Sequence, residues 1–116
     1  MQTVNLIADA RYSDDKPSRL HAVKTDQLLV EGVYMKPAQK TGWHKHPETD
    51  RAYLCVQGSG ELVLETIAVG NELRIPLGPG AVALAPRGVF YDLIAGPGGM
   101  VCSALSRFPV QVVEKG

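Results

Sequence analysis

Residues 42–51 read Gly-Trp-His-Lys-His-Pro-Glu-Thr-Asp-Arg and contain two of the three histidines in the chain. His44 and His46 are two positions apart, so in an extended strand both imidazoles point to the same face. Imidazole is the side chain that most often binds transition metals in proteins. The spacing therefore predicts a metal site or an active site built on these two rings. The alternative is that both rings simply face water.

The residues that follow indicate β-structure throughout the chain. Alternation after the histidines places Arg51, Tyr53, Cys55 and Gln57 on the histidine face. Short apolar runs are separated by turn residues, and no segment has the period of a long amphipathic helix. This pattern predicts an all-β barrel or sandwich with little or no helix. The expected strands are 2–8, 20–24, 27–35, 51–57, 61–67, 72–77, 81–85, 89–94, 100–108 and 110–113, with a Gly-rich turn at 58–60 and hairpin turns at 69–71 and 95–99.

Two groups of residues resemble the two motifs of a small single-domain cupin. The first motif is a His-x-His pair, an acid and a glycine, and the second is a glycine, Pro-x-Gly and a histidine. They fall on His44, His46, position 51 and Gly58, and then on Gly80, Pro86, Gly88 and position 91. The resemblance implies one jelly-roll β-barrel, or double-stranded β-helix, over residues 1–116. Its first motif would span about 42–60 and its second about 80–91.

The chain departs from the cupin pattern at two positions where the family places metal ligands. Arg51 replaces the glutamate of the first motif, and Tyr91 replaces the histidine of the second. Ala38 stands where the early glycine of the first motif would fall, and Ala95 replaces the final asparagine of the second. The resemblance therefore implies the fold more completely than it implies a metal site.

One interpretation of the site includes a metal. His44 and His46 would supply two ligands, and Tyr91 or Asp50 would supply a third, with Glu48 as a further candidate acid. Arg51 keeps its proton and cannot ligate a cation. Two histidines with one carboxylate suit Fe(II) or Mn(II), and Ni, Cu and Zn are the other divalent candidates. His44, His46 and Tyr91 would then be the catalytic residues of an isomerase, epimerase, lyase or dioxygenase acting on a polar, oxygen-rich molecule.

The other interpretation needs no metal. Arg51 would hold a carboxylate or phosphate of a small organic anion, such as a sugar or keto acid, beside Tyr53 and Tyr91. Tyr91 and a histidine could then act as acid and base, as in cupin-like sugar epimerases. The same pocket without chemistry would be a binding module. A third alternative makes Arg51 structural, in an ion pair with Asp50, Glu48 or Glu61.

Composition limits the remaining function classes. The chain of 116 residues has 12 basic and 12 acidic side chains, so its formal net charge is zero and predicts neither nucleic-acid nor membrane-surface binding. The absence of a signal-like start predicts a cytoplasmic protein in which Cys55 and Cys102 are buried, reduced thiols. The resemblance to small cupins implies a homodimer, which the apolar edges at residues 4–7 and 110–113 would allow. Strand parity predicts that Trp43 points away from the histidines, and His21 is expected at the surface.

Overall fold

Eight antiparallel strands form the protein, and the computed structural model describes them through residues 3–66 and 71–115. The strands are β1 (Ser18–Lys24), β2 (Leu28–Met35), β3 (His44–Lys45), β4 (Arg51–Glu65), β5 (Glu72–Leu77), β6 (Val82–Ala85), β7 (Tyr91–Arg107) and β8 (Val113–Glu114). The described residues contain no α-helix, and hence no helix able to span a membrane. The all-β prediction is confirmed.

β7 is the strand around which the sheet curls. Its second half, from Met100 onward, pairs with β2 on one side and with the first half of β4 on the other. Its first half pairs with the second half of β4 and with β3. The strand order is β1-β2-β7-β3-β8, with β5 and β6 attached through β4. This arrangement brings the start of β4, the start of β7 and β3 around one end of the curled sheet.

The inward faces of β2, β4 and β7 form the core. Burial alternates at the start of β4 and at the end of β7, whereas β2 is buried at consecutive positions from Glu31 to Met35. Cys55 and Cys102 are opposite each other in the β4–β7 register, and both are buried free thiols. Burial raises the pKa of the Cys102 thiol to about 12, with Cys55 adding to the shift. The prediction of two buried, unbridged cysteines is confirmed.

Four strand or turn predictions were wrong in detail. Residues 6–9 form a turn and residues 3–5 no strand, because the Asn5 side chain accepts hydrogen bonds from the amides of Ile7 and Ala8. Neither the Gly-rich turn expected at 58–60 nor the hairpin expected at 95–99 forms. β4 and β7 run through these segments, and their pairing shifts register between Gly58 and Gly60. In the expected edge strand at 110–113 only residue 113 pairs, in β8, and its partner is β3. The turn predicted at 69–71 falls mostly outside the described residues.

Candidate functional site

Three elements bring the two histidines and a tyrosine together. β3 carries His44, which is in register with Tyr91 at the start of β7, and His46 follows directly after β3. The two imidazole centroids are 5.3 Å apart, and the Tyr91 ring lies 4.3 Å from His44 and 5.7 Å from His46. The histidines are buried and share one space, as the spacing of two predicts.

Backbone carbonyls determine the tautomer of both histidines. His44 Nδ1 is 2.6 Å from the carbonyl oxygen of Gly42, and His46 Nδ1 is 2.8 Å from that of Gln111. A carbonyl oxygen can only accept a hydrogen bond, so each Nδ1 must carry the proton. In the neutral imidazoles the lone pair is therefore on Nε2.

The Nε2 lone pair of His46 accepts the last hydrogen bond of a chain in which every donor and acceptor is determined. The Tyr91 hydroxyl is 2.9 Å from this nitrogen and must donate to it. Tyr91 then has no proton left, so the Tyr53 hydroxyl, 2.6 Å away, donates to Tyr91. Arg51 Nε in turn donates to the Tyr53 oxygen over 3.2 Å. One arginine thus fixes the direction of every proton between itself and His46.

His44 differs from His46 at Nε2. Within the described part of the chain, the structure records no hydrogen bond for this nitrogen, and His44 lines a cavity of about 650 Å³. The lone pair is therefore the one in the histidine pair that is open to an incoming molecule.

Arg51 is held by the protein on all three of its nitrogens. Besides Tyr53, it donates to Ser106 Oγ over 3.2 Å and forms a buried ion pair with Glu31 of β2. Glu31 also contacts His21 Nε2 at 3.1 Å and Arg19 at 3.9 Å. The expected partners of Arg51 at positions 48, 50 and 61 do not make this contact.

The structure separates Asp50 from the other predicted site residues. Its side chain is exposed and accepts a hydrogen bond from the amide of Arg87, in the turn before β7. Asp50 lies just before β4, which begins at Arg51, and its carboxylate is held outside the strand by the Arg87 amide. The candidate ligand Asp50 is thus not with the histidines, whereas Arg51, Tyr53 and Tyr91 are.

The cavity includes residues that the sequence did not single out. Arg19 and Glu31 line it from β1 and β2, and residues 108–115 contribute Phe108, Val110, Val112, Glu114 and Lys115. Glu31 had a signal in the sequence, since it is the one acid among the apolar residues of its strand. Trp43 also lines the cavity, against expectation, because β3 begins only at His44 and strand parity does not extend to the residue before it.

Burial and neighbouring cations keep the histidines neutral and the tyrosine protonated. Burial lowers the pKa of His46 to about 4, and Arg51 and His44 add to the shift against the opposing carbonyl of Gln111. The pKa of His44 is lowered for the same first reason, with Arg19 and Arg51 contributing. Burial, and then Tyr53, raise the pKa of Tyr91 well above its ordinary range.

These donors do not fit a resident divalent metal. Among the described residues, no group of three or more His, Cys, Asp or Glu side chains is placed to hold one. His46 Nε2 already accepts from Tyr91, whose raised pKa disfavours a phenolate ligand. Arg51 brings a positive charge where the family places a carboxylate. The pair of imidazoles alone falls short of the three protein ligands that catalytic metal sites commonly use.

Comparison with known proteins gives matches only among solved structures. No family model matches the chain, and no curated protein sequence matches it. A double-stranded β-helix protein from Klebsiella pneumoniae has a TM-score of 0.84 at 17% identity, over 97% of this chain and 96% of that one. An RmlC-like cupin from Desulfovibrio desulfuricans has a TM-score of 0.78 at 21% identity, over 92% and 96%.

An enzyme is also among the similar structures. The DMSP lyase DddQ from Ruegeria pomeroyi has a TM-score of 0.73 at 20% identity, over 98% of this chain and 60% of that one. Sequence identities this low support a shared fold but no shared activity. The strands, the two motifs and these structural neighbours agree, and the chain therefore has the cupin fold, the double-stranded β-helix.

Proposed function

We propose that this protein is a metal-independent acid–base enzyme of the isomerase or epimerase type, acting on a small oxygen-rich organic anion. The observation that supports this most directly is the open Nε2 lone pair of His44, a residue that lines the cavity. The His44 side chain is otherwise buried. Every fully buried side-chain nitrogen and oxygen of the described residues has a partner, so the unpaired Nε2 must be accessible, as a general base has to be.

His44 is the base in this proposal. Its lowered pKa keeps the imidazole neutral at pH 7, so that Nε2 can remove a proton from a carbon next to a carbonyl group. The resulting imidazolium would carry its other proton on Nδ1, where the carbonyl oxygen of Gly42 already accepts it. The developing positive charge strengthens that hydrogen bond.

Tyr91 is the acid. Its hydroxyl is held protonated by burial and is polarised by the chain that starts at Arg51. The Tyr91 side chain is 1% exposed and does not line the cavity. A shift of its ring toward the cavity, with rotation of the hydroxyl away from His46 Nε2, would let it donate to the enolate oxygen that forms when His44 takes the proton. Arg51 therefore acts through Tyr53 and Tyr91 as a positioning residue. This indirect role replaces the expectation that Arg51 itself binds the carboxylate or phosphate of the substrate.

The charge around the cavity suits an anion. Three cationic side chains line it, at Arg19, Arg51 and Lys115, against two anionic ones at Glu31 and Glu114. Arg51 is already paired, whereas the Arg19 guanidinium is 3.9 Å from Glu31 and is 38% exposed. Arg19 is thus the cation best placed to meet a carboxylate that enters the cavity.

Hydrogen–deuterium exchange tests the proposal without a known substrate. A panel of keto acids, aldoses and ketoses is incubated with the protein in D2O and a chelator, and loss of the proton next to the carbonyl is followed by NMR. At least one compound should exchange, and His44→Gln should slow that exchange by about 10²- to 10⁴-fold. Lys45→Gln, which changes the outward neighbour, should leave the rate unchanged. Exchange that requires an added divalent metal, or that survives in His44→Gln, would contradict the proposal.

A second candidate function is binding without chemistry. The observation that favours it is the complete internal pairing of Arg51, which gives a pre-built pocket wall with no group left to rearrange. A compound from the same panel that binds saturably, with no exchange at any of its carbons, would identify the protein as a binding module.

A further inference from the structure

A second, basic cavity lies beside the histidine cavity. It has a volume of about 440 Å³ and is formed by the segment before β1, the start of β1 and the loop that leads to β3. Its lining residues are Ser13, Lys16, Pro17, Ser18, Arg19, Lys40 and Thr41. Neither the cupin motifs nor the proposed chemistry at His44 accounts for this set.

The charge of this basic cavity is one-sided. Three of its seven lining residues are cations, and none of the described residues that line it is an acid. Lys16 and Lys40 have no ion pair with any described residue, and Arg19 makes only the 3.9 Å contact with Glu31. In a chain with no net charge, three weakly compensated cations around one cavity give a local positive potential that attracts anions.

The backbone of the basic cavity is held by hydrogen bonds. The amide of Gln39 donates from Nε2 to the carbonyl of Ser13 over 2.8 Å. Lys40 bridges to Ile94, and the Thr41 amide donates to the carbonyl of Leu93 over 3.0 Å. Lys40 therefore extends from a fixed frame, which lowers the entropy cost of binding an anion beside it.

The hydroxyl groups complete a donor set that suits phosphate. Ser13 and Ser18 line the basic cavity together with the cations, whereas the Thr41 hydroxyl already donates to Asp92 Oδ1 over 3.3 Å. A phosphate group has several strong acceptor oxygens and up to two negative charges near neutral pH. Ammonium, guanidinium and hydroxyl donors around one pocket are the groups that bind it.

Arg19 and Thr41 line both cavities, so the two are adjacent. We propose that the basic cavity is a phosphate subsite, and that the molecule bound by the protein is a phosphate monoester whose other end reaches His44. The phosphate subsite stands on its own geometry, while the reaction at the far end depends on the function proposed above. The substrate class is accordingly a phosphorylated sugar or keto acid.

Inorganic phosphate titration followed by amide NMR tests the subsite. Phosphate should shift the amides of Ser18, Lys40 and Thr41 saturably at constant ionic strength. Lys16→Ala/Lys40→Ala should weaken this binding by at least about tenfold, because a charge-assisted hydrogen bond contributes about 1.5–3 kcal/mol. Lys24→Ala/Lys45→Ala removes the same charge elsewhere and should leave the affinity within about twofold, as screening of remote charges predicts. No saturable shift, or equal weakening in both double variants, would overturn the subsite.

D-glucose 6-phosphate and D-glucose test the continuity of the two cavities. The phosphate ester should shift both the Lys40 amide and the His44 ring, whereas inorganic phosphate should shift only the former and glucose neither. An ester that leaves the His44 ring unmoved would overturn the continuous site. Intact phosphate binding together with a failed deuterium exchange would refute the proposed acid–base function while leaving the phosphate subsite in place.

Discussion

Arg51 changes what two histidines can do at the mouth of this fold. An acid at this position would give a cation a third ligand, whereas arginine supplies a permanent positive charge of its own. Glu31 neutralises this charge by forming an ion pair with Arg51. Arg51 also donates the first hydrogen bond of an ordered chain that runs through Tyr53 and Tyr91. His46 Nε2 becomes the end of that chain, and His44 Nε2 is left open. In the proposed function, this single substitution is what favours proton chemistry over metal binding at the two histidines.

His46 should make stability depend on pH. Its pKa is about 4 in the fold against about 6.5 for an ordinary histidine. Between these values the unfolded chain binds more protons, so the free energy of unfolding rises as pH rises from 4 to 6.5. The contribution is about 3 kcal/mol, fully present above pH 6.5. Urea unfolding at a series of pH values measures it.

His46→Gln removes the titrating ring and should flatten the dependence by that amount. His21→Gln is the matched control, since it leaves both histidines of the pair intact, and it should keep most of the slope. A wild-type free energy of unfolding that does not change between pH 4 and 6.5 would contradict the assigned environment of His46.

The β4–β7 pair is the element that aligns the site. Arg51 and Tyr53 lie at the start of β4, which pairs with the end of β7. Tyr91 lies at the start of β7. The two strands stay paired through a change of register at Gly58–Gly60. Gly58 has φ of 77°, and a Cβ on it would meet the carbonyl oxygen of Gly99 at 2.3 Å. This close approach is what the motif glycine permits.

Three alanine substitutions should separate crowding from backbone strain. Gly58→Ala introduces both crowding and backbone strain. It should lower the free energy of unfolding by several kcal/mol, as severe core defects do. Gly42→Ala introduces backbone strain without crowding, since φ is 86° and no atom lies within 4 Å of the added Cβ. It should lower the free energy of unfolding by about 1–2 kcal/mol. Gly78→Ala meets neither and should change the free energy of unfolding by less than about 0.5 kcal/mol. Equal effects in the three variants, measured in urea, would contradict this account.

The sequence predicted those parts of the site that depend on local periodicity. His44 and His46 share a face because residues two apart do so in extended chain, and the motif spacing placed Tyr91 beside them. Ala38 was recognised as a missing glycine, and its φ of 63° shows that the backbone there keeps the left-handed form. The same alternation predicted that Cys55 lies on the face of its strand that carries Arg51 and Tyr53, where it is buried.

Contacts between distant strands were not predictable from spacing. Glu31 pairs with Arg51 only because β2 and β4 both flank β7, which no local pattern reveals. The same holds for the carbonyl of Gln111, which comes from the segment before β8 and fixes the His46 tautomer. Turn chemistry at Asn5 overrode the apolar pattern that predicted a first strand.

The outer surface of the whole molecule carries an apolar patch. One row of cross-strand neighbours runs Val23, Val30, Leu105, Ala52 and Leu84 over five strands. Of the patch residues, Leu54, Val82, Leu84, Leu105 and Val23 are each at least 40% exposed. Together they expose on the order of 400 Å² of apolar surface, enough for the centre of an interface of about 800 Å² per partner.

We expect a second copy of the chain to cover this patch, in place of the edges at 4–7 and 110–113. Two such faces pack on each other around a twofold axis as sheets do in a sandwich. Leu84→Glu should convert the dimer to a monomer in sedimentation velocity experiments. Leu73→Glu alters a residue that is 52% exposed on β5, outside the patch, and should leave the dimer intact. A monomeric wild type, or a dimer unaffected by Leu84→Glu, would contradict the prediction.

The central claim is that both histidines of the pair are neutral, with the proton on Nδ1, and that His44 Nε2 is the open base. Long-range ¹H–¹⁵N NMR of histidine-labelled protein reads the tautomer and charge of each ring directly. The account predicts the Nδ1–H form for His44 and His46 at pH 7, with His46 gaining charge only near pH 4. A proton on Nε2 of either ring, or a charged His46 at pH 6, would contradict it.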